Sequence, residues 1–278
     1  MNRIDSYEDL AEQIVNWIKD YYWDNDLGGL VVGVSGGIDS AVVSTLCART
    51  GLPTYILTMP LDSKEENTEL SDAHAEFLKS KYPNVVHYNI DLSEPYHKLI
   101  STIGLKTAPS GFTTNRTLIT DNLTNANTKS RMRMVTLYQI AGVVKGIVVG
   151  TGNKVEDYGV GFYTKYGDGG VDISPIADLM KSEVYDISKK LNIIDEIIDA
   201  SPTDGLWSDG RTDEDQLGVN YDELEWAMKY CKKNNINSIV ADSEINSLSD
   251  DKLKILRVYL KYRNANLHKM LEIPVFKK

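Results

Sequence analysis

The residues best placed to do chemistry lie in VVGVSGGIDSAVV, residues 31–43, where an apolar run ends in a glycine-rich turn and a helix starts at once. Gly36 and Gly37 let backbone N–H groups approach an anion closely, and the helix that follows adds its positive dipole end. Ser35 and Ser40 can donate hydroxyls to phosphate oxygens. A Walker loop would need GxxxxGK[ST], but Gly37 is followed by Ile-Asp-Ser, so that reading fails. Asp39 cannot itself favour a phosphate. A carboxylate belongs there if Mg²⁺ sits between it and the phosphates.

Such a turn needs a buried strand before it and a helix after it. Near-continuous apolar runs at Leu30 to Val34, Thr54 to Thr58, Val85 to Ile90 and Ile147 to Val149 read as strands covered on both faces. Helical patterns alternate with them. In SYEDLAEQIVNWIKDYYW, Ser6 is the expected N-cap, with Leu10, Ile14, Trp17 and Ile18 on one face. Helices are also expected over Ser40 to Thr50 with Gly51 as the stop, Asn67 to Lys79, Asn127 to Val144, Tyr221 to Lys233 and Leu248 to Asn264, then a short extended end. This rhythm predicts an α/β fold, a doubly wound, mainly parallel sheet with helices on both faces. Thr107 to Asn125 and Ser201 to Gly218 break the rhythm as long loops, and the second is expected to be a lid. With no convincing linker and no internal repeat, residues 1–278 are expected to form a single domain.

The bulk numbers narrow the class. Net charge is −10, with 40 acidic against 30 basic side chains, which argues against a general nucleic-acid binder. Cys47 and Cys231 are far apart and have no metal-ligand spacing, which fits packing residues in a reducing compartment. No run approaches the length of a membrane span and the N-terminus is too polar for a signal peptide, so a cytoplasmic protein without membrane contact is expected. His74, His87 and His97 read as structural, and no His/Asp/Ser constellation supports hydrolase chemistry.

SGGIDS resembles the pyrophosphate-binding loop of the N-type ATP pyrophosphatases, which cleave ATP to AMP and pyrophosphate while adenylating a substrate oxygen. The resemblance implies their adenine nucleotide alpha hydrolase-like fold. Five further blocks carry it to the NAD synthetases: NTKSRMRMVTLY (127–138), VVGTGNKVE (148–156), GFYTKYGDGGVDISPIADLMKSEVY (161–185), PTDGLW (202–207) and TDEDQLG (212–218). What this resemblance implies is an ammonia-dependent ligase. It would amidate deamido-NAD (nicotinic acid adenine dinucleotide) through an acyl-adenylate, giving NAD, AMP and pyrophosphate. ATP would lie against Gly33, Val34, Ser35, Gly36, Gly37, Ile38, Asp39 and Ser40, with Thr151, Lys181 and Thr203 as further contacts. Asp39 and Glu156 would share Mg²⁺, and with Lys181 they form the expected catalytic set. Arg131, Lys165, Asp172 and the pair His268–Lys269 would hold deamido-NAD, although Met270 stands where the family commonly has Arg.

Glutamine-using relatives carry a separate amidase domain with a nucleophilic cysteine. Neither cysteine is near the N-terminus and the extra length is absent, so no glutaminase domain is expected. The nitrogen donor is then free ammonia, unless a separate glutaminase subunit supplies it. Asp168 and Asp172 are both candidates to take the proton from ammonia. The resemblance further implies a homodimer. An amidating enzyme of the same superfamily acting on another carboxylate, such as a sugar acid, is the alternative.

Overall fold

The computed structural model describes residues 6–62, 65–103, 122–202, 212–236 and 248–278. Four strands, β1 (Leu30–Gly33), β2 (Thr54–Thr58), β3 (Val85–Asn89) and β4 (Ile147–Val148), form one sheet in the order β3-β2-β1-β4. Every pairing is parallel, with Leu30 opposite Thr54 on one side and Ile147 on the other. Parallel neighbours require crossover connections. Helices α2 (Ile38–Arg49) and α3 (Glu65–Lys81) supply two, while α4 (Ser93–Ile103) and α5 (Asn122–Val143) lie between β3 and β4. The chain therefore winds outward from β1 to β3 and returns to the opposite side of β1. That reversal creates a switch point at the carboxyl ends of β1 and β4, where open α/β sheets bind ligands.

Alternate residues of β1 face opposite layers. Leu30 and Val32 pack with Ile14, Ile18, Leu46, Val184 and Ile187 from α1 (Tyr7–Asp24), α2 and α6 (Lys181–Leu191). Val31 packs with Leu57, Leu61, Tyr96, Ala141 and Val148 on the side of α4 and α5. Helices thus cover both faces, as expected. A separate core joins the π-helix Val155–Val160 to α9 (Tyr221–Asn234) and α10 (Asp250–Met270) through Val155, Leu224, Leu256, Tyr259 and Leu260. Two short helices, α7 (Asp195–Ile198) and α8 (Asp213–Leu217), complete the described elements.

Several details differ from the expectation. Ser6 does cap α1, its hydroxyl accepting from the Asp9 N–H at 3.3 Å. The buried stripe, however, is Ala11, Ile14, Val15, Ile18 and Tyr22, and Trp17 is 46% exposed. Its position falls just off the helical stripe, so its size did not decide its face. Strand β3 is an edge strand with Val86 and Tyr88 exposed, so it is not covered on both faces. Helix α5 starts at Asn122, taking in the end of the expected loop, while residues 107–121 lie outside the described residues. Within TDEDQLG, the Thr212 hydroxyl accepts from the Asp215 N–H and the Asp215 carboxylate accepts from the Thr212 N–H. This capping box starts α8 inside a segment expected to be loop. Helix α10 runs to Met270, which places His268 and Lys269 in its last turn.

Candidate active site

The turn after β1 is organised by its own serines. Ser35 N–H donates to Ser40 Oγ at 3.2 Å, Gly37 N–H donates to Ser35 Oγ at 3.3 Å, and Ser40 Oγ donates to the Gly37 carbonyl at 2.9 Å. Gly36 has φ 86°, a conformation that strains any residue with a Cβ. No side chain caps the N-terminus of α2 at Gly37. Its first N–H groups therefore face a cavity of about 290 Å³ lined by the whole turn from Gly33 to Ser40.

Across the cavity, Lys181 begins α6 and lies 3% exposed between two carboxylates. Its Nζ is 2.6 Å from Asp39 Oδ2 and 3.0 Å from Glu156 Oε1. The three expected catalytic residues are thus brought into contact from the start of α2, the π-helix that follows β4, and the start of α6. Burial works against the lysine's charge, but Asp39 and Glu156 outweigh it and raise its pKa. Burial raises the Asp39 carboxyl against the pull of Lys181. Glu156 is lowered, because Lys181 and the Tyr221 hydroxyl overcome its burial.

Two residues that the sequence did not single out, Asn153 and Tyr221, support this group. Asn153, fully buried, accepts from the N–H groups of Val155 and Glu156 at 3.0 and 3.1 Å and donates to Asp39 Oδ1 at 3.1 Å. It holds one carboxylate while fixing the start of the helix that carries the other. Tyr221 donates its hydroxyl toward Glu156 Oε1 at 2.6 Å and also lies 3.1 Å from Asp213 Oδ2. The signal for Asn153 was available, since Asn just before a helix is an ordinary capping residue. Nothing local marked Tyr221, which is 65 positions from Glu156. Glu156 lies in a π-helix, an irregularity frequent at functional sites. Side chains of α10 hold that element: Asn266 donates to the Val160 carbonyl at 2.9 Å, and Arg263 donates to the carbonyls of Tyr158 and Gly159.

The donor set suits a small hard cation. Among the described residues no cluster of three His, Cys, Asp or Glu forms a closed metal cage. Mg²⁺ does not require one, being held by one or two carboxylates together with substrate phosphates and water. Asp39 and Glu156 could supply those two carboxylates, and the Lys181 ammonium marks the place between them as one that takes positive charge.

The remaining expected residues fall into two groups. Thr151 lines the cavity, and Thr203 lies outside the described residues. Arg131 is exposed on α5, with Nε and Nη2 each 3.4 Å from the Lys165 carbonyl. Lys165 donates to the His268 carbonyl at 3.0 Å, and Lys269 donates to the carbonyls of Gly161 and Tyr163 at 2.9 and 2.6 Å. Arg131, Lys165, His268 and Lys269 therefore gather around the loop 161–166, with α10 fastening it. Asp172 accepts from Tyr138 Oη at 2.9 Å and from the Val148 N–H at 2.8 Å, which ties the end of β4 to α5. Asp168 accepts at Oδ1 from Ser130 Oγ at 2.6 Å and from the Thr164 N–H at 3.0 Å. Asp157, also lining the cavity, is pushed up to about 8 by burial and by the nearby Glu156, Asp168 and Asp39. The other histidines are structural: His74 is buried against Ser44, His87 bonds Thr58, and His97 pairs with Asp62.

Known proteins resemble this chain over most of its length. An NH(3)-dependent NAD(+) synthetase of Carboxydothermus hydrogenoformans is 37% identical over 221 residues, covering 79% of this chain and 84% of that protein. One from Methanosarcina mazei is 33% identical over 276 residues, covering 96% and 98%. The solved structure of NMN synthetase from Francisella tularensis superposes with a TM-score of 0.78 at 30% identity, covering 99% of this chain and 100% of that one. The sequence profile of NAD synthase matches residues 10–270, a span that takes in the turn, both carboxylates and Lys181. The chain belongs to the NAD synthase family.

Proposed function

We propose that this protein joins ammonia to the nicotinate carboxylate of deamido-NAD at the expense of ATP, yielding NAD, AMP and pyrophosphate. The observation that carries this reading is the buried Asp39–Lys181–Glu156 group facing the SGGIDS turn across one cavity. A carboxylate resists attack by ammonia because it is anionic and its oxygen leaves poorly. Transfer of AMP onto that oxygen removes both obstacles, and ammonia then displaces AMP. The chain's share of this work is alignment and charge neutralisation. The free N–H groups at the start of α2 and the Ser35 and Ser40 hydroxyls receive the pyrophosphate part of ATP. Lys181 leaves its carboxylates to meet the phosphates as they arrive. Mg²⁺, held by Asp39 and Glu156, would neutralise phosphate charge as the α–β bond breaks. Arg131 and Lys165 bring cations to the dinucleotide, with His268 and Lys269 at the loop beside them.

The protein acts as one catalytic domain in the cytoplasm, taking free ammonia or ammonia from a separate glutaminase subunit. Among the described residues no helix is long and apolar enough to cross a membrane. Exposed Val135, Tyr138 and Val143 on α5 support a homodimer. The comparisons do not favour amidation of an unrelated carboxylate such as a sugar acid.

A second reading has a specific observation behind it. The Francisella tularensis structure, matched over nearly the whole chain, is an NMN synthetase, so the mononucleotide is a competing substrate. The test supplies ATP, Mg²⁺ and ammonium with either deamido-NAD or nicotinate mononucleotide, and products are separated by chromatography. The expected result is NAD, AMP and pyrophosphate in equal amounts, with higher kcat/KM on deamido-NAD. Higher kcat/KM on the mononucleotide establishes the second reading, and ADP in place of AMP would overturn both.

A further inference from the structure

Glu156 reaches the site on a π-helix, and its Oε1 accepts from two donors, Lys181 Nζ at 3.0 Å and Tyr221 Oη at 2.6 Å. The two donors differ in kind. Lys181 is a charge that a nucleotide can draw away, whereas Tyr221 is anchored in the core formed by the π-helix, α9 and α10. Tyr221 is the first residue of α9, whose Asn220 cap accepts from the Glu223 N–H at 2.9 Å. The ring also lies under Lys181, with Nζ 4.7 Å from its centroid. One side chain thus touches both the carboxylate and its counter-ion.

A phenol carries one proton and serves one acceptor at a time. Two carboxylates stand within reach of this one, Glu156 at 2.6 Å and buried Asp213 at 3.1 Å. The shorter distance directs the hydroxyl's hydrogen bond to Glu156. Asp213 is itself fixed at the start of α8, its N–H donating to the Pro202 carbonyl at 3.0 Å. Burial together with Glu156 and Asp213 raises the phenol's pKa, which keeps it a donor.

We infer that Tyr221 is a positioning residue for Glu156: its hydroxyl holds one carboxylate oxygen in place after Lys181 has left for the nucleotide, and Asp213 competes for the same proton. This inference rests on the proposed role of Glu156 as a Mg²⁺ ligand. A bystander phenol would contribute packing alone, and Tyr221→Phe keeps that packing while deleting one hydrogen bond.

The experiment measures Mn²⁺ binding to the wild type and to Tyr221→Phe with a non-hydrolysable ATP analogue present, by the relaxation of water protons. Melting temperature and the Mg²⁺ dependence of turnover are recorded alongside. Tyr221→Phe is expected to bind Mn²⁺ about tenfold more weakly, the equivalent of one hydrogen bond to a charged group. The Mg²⁺ concentration for half-maximal rate should rise in parallel, with KM for the nicotinate substrate little changed. Asp213→Asn weakens the competitor, so its Mn²⁺ affinity should equal or exceed that of the wild type. Unchanged Mn²⁺ affinity in Tyr221→Phe, whether or not the melting temperature falls, overturns the inference. So does a loss in Asp213→Asn as large as that in Tyr221→Phe. A wild type that binds no Mn²⁺ at this site overturns the metal reading itself, an outcome distinct from the other two.

Discussion

Replacing Lys181 by Met tests whether its ammonium holds Asp39 and Glu156 together. The side chain is 3% exposed, with Nζ 2.6 Å from Asp39 and 3.0 Å from Glu156. Removing one partner of a buried ion pair costs about 3–5 kcal/mol, because the other charge is left uncompensated. Here the two orphaned carboxylates can share one proton, which places the loss near the lower end, about 3 kcal/mol. For a chain of this size that corresponds to a fall in melting temperature of roughly 6–12 °C. The sign of the pH dependence is more diagnostic than the size. In the wild type Glu156 is lowered by Lys181, so its contribution to stability is present above the ordinary carboxylate range and is lost as pH falls. In the Met variant burial and the neighbouring carboxylate raise the folded pKa, while the hydrogen bonds from Asn153 and Tyr221 offset only part of that rise. Stability is then retained at low pH and lost as pH rises through that raised value. The gap between the two proteins should therefore widen from pH 5 to pH 8. Mg²⁺ should narrow it by binding the bare carboxylates, contributing about 2.7 kcal/mol at a hundred times its dissociation constant. Melting followed by circular dichroism at both pH values, with chelator and with Mg²⁺, reads all of this. A gap independent of pH, or no loss of stability with chelator, would refute the reasoning.

Two further perturbations probe the supports of the site. His74, wholly buried beside Ser44 at 3.0 Å, is held down to about 4 by burial, so stability should be lost as pH falls from about 6.5 to about 4. The difference amounts to about 3 kcal/mol, and urea titrations at pH 7 and pH 4.5 should show it in the wild type and far less of it in His74→Gln. Asn153→Ala removes the acceptor for two N–H groups and one donor to Asp39. Activity should fall at least about tenfold with a stability loss of about 2–3 kcal/mol, and wild-type turnover in that variant would remove Asn153 from the machinery.

The parts of this fold that could be read from the chain were those whose cause is local. The SGGIDS turn needs its glycine at φ 86°, and β1 is a buried run that can only sit inside a parallel sheet. Ser6 caps α1 because a hydroxyl there meets an orphan N–H. Misreadings arose where position in the fold decided the outcome. The β3 sequence looks like a central strand, yet it lies at the sheet edge and leaves Val86 and Tyr88 exposed. TDEDQLG looks like loop until its capping box is recognised as a helix start. At the site, Asp39 was legible from chemistry and Glu156 and Lys181 from family resemblance, because the contact between Lys181 and Asp39 spans 142 positions. Asn153 carried a local signal as a cap just before a helix, whereas Tyr221 acts on Glu156 from 65 positions away and nothing in its own neighbourhood announced it.

The missing Walker lysine has a physical counterpart. In this protein the cation comes from the first residue of α6, where the helix dipole is unfavourable to positive charge. A lysine is stable there only while anions neutralise it, and Asp39 and Glu156 do so. Helices α2 and α6 pack together through Val42, Leu46, Val184 and Ile187, and both present their N-termini to the same cavity. Two positive helix ends and one lysine thus make a local field suited to a polyphosphate inside a protein of net charge −10. The two carboxylates keep that field from being left uncompensated before the nucleotide arrives. Under the proposed function they would remain beside the phosphates, where a divalent cation would reconcile the like charges. A lysine inside the turn itself would have neutralised the phosphates directly and removed the need for Asp39. Placing the lysine on α6 pairs it with Asp39, and under the proposed function the same carboxylate would serve the metal once the lysine meets the phosphates.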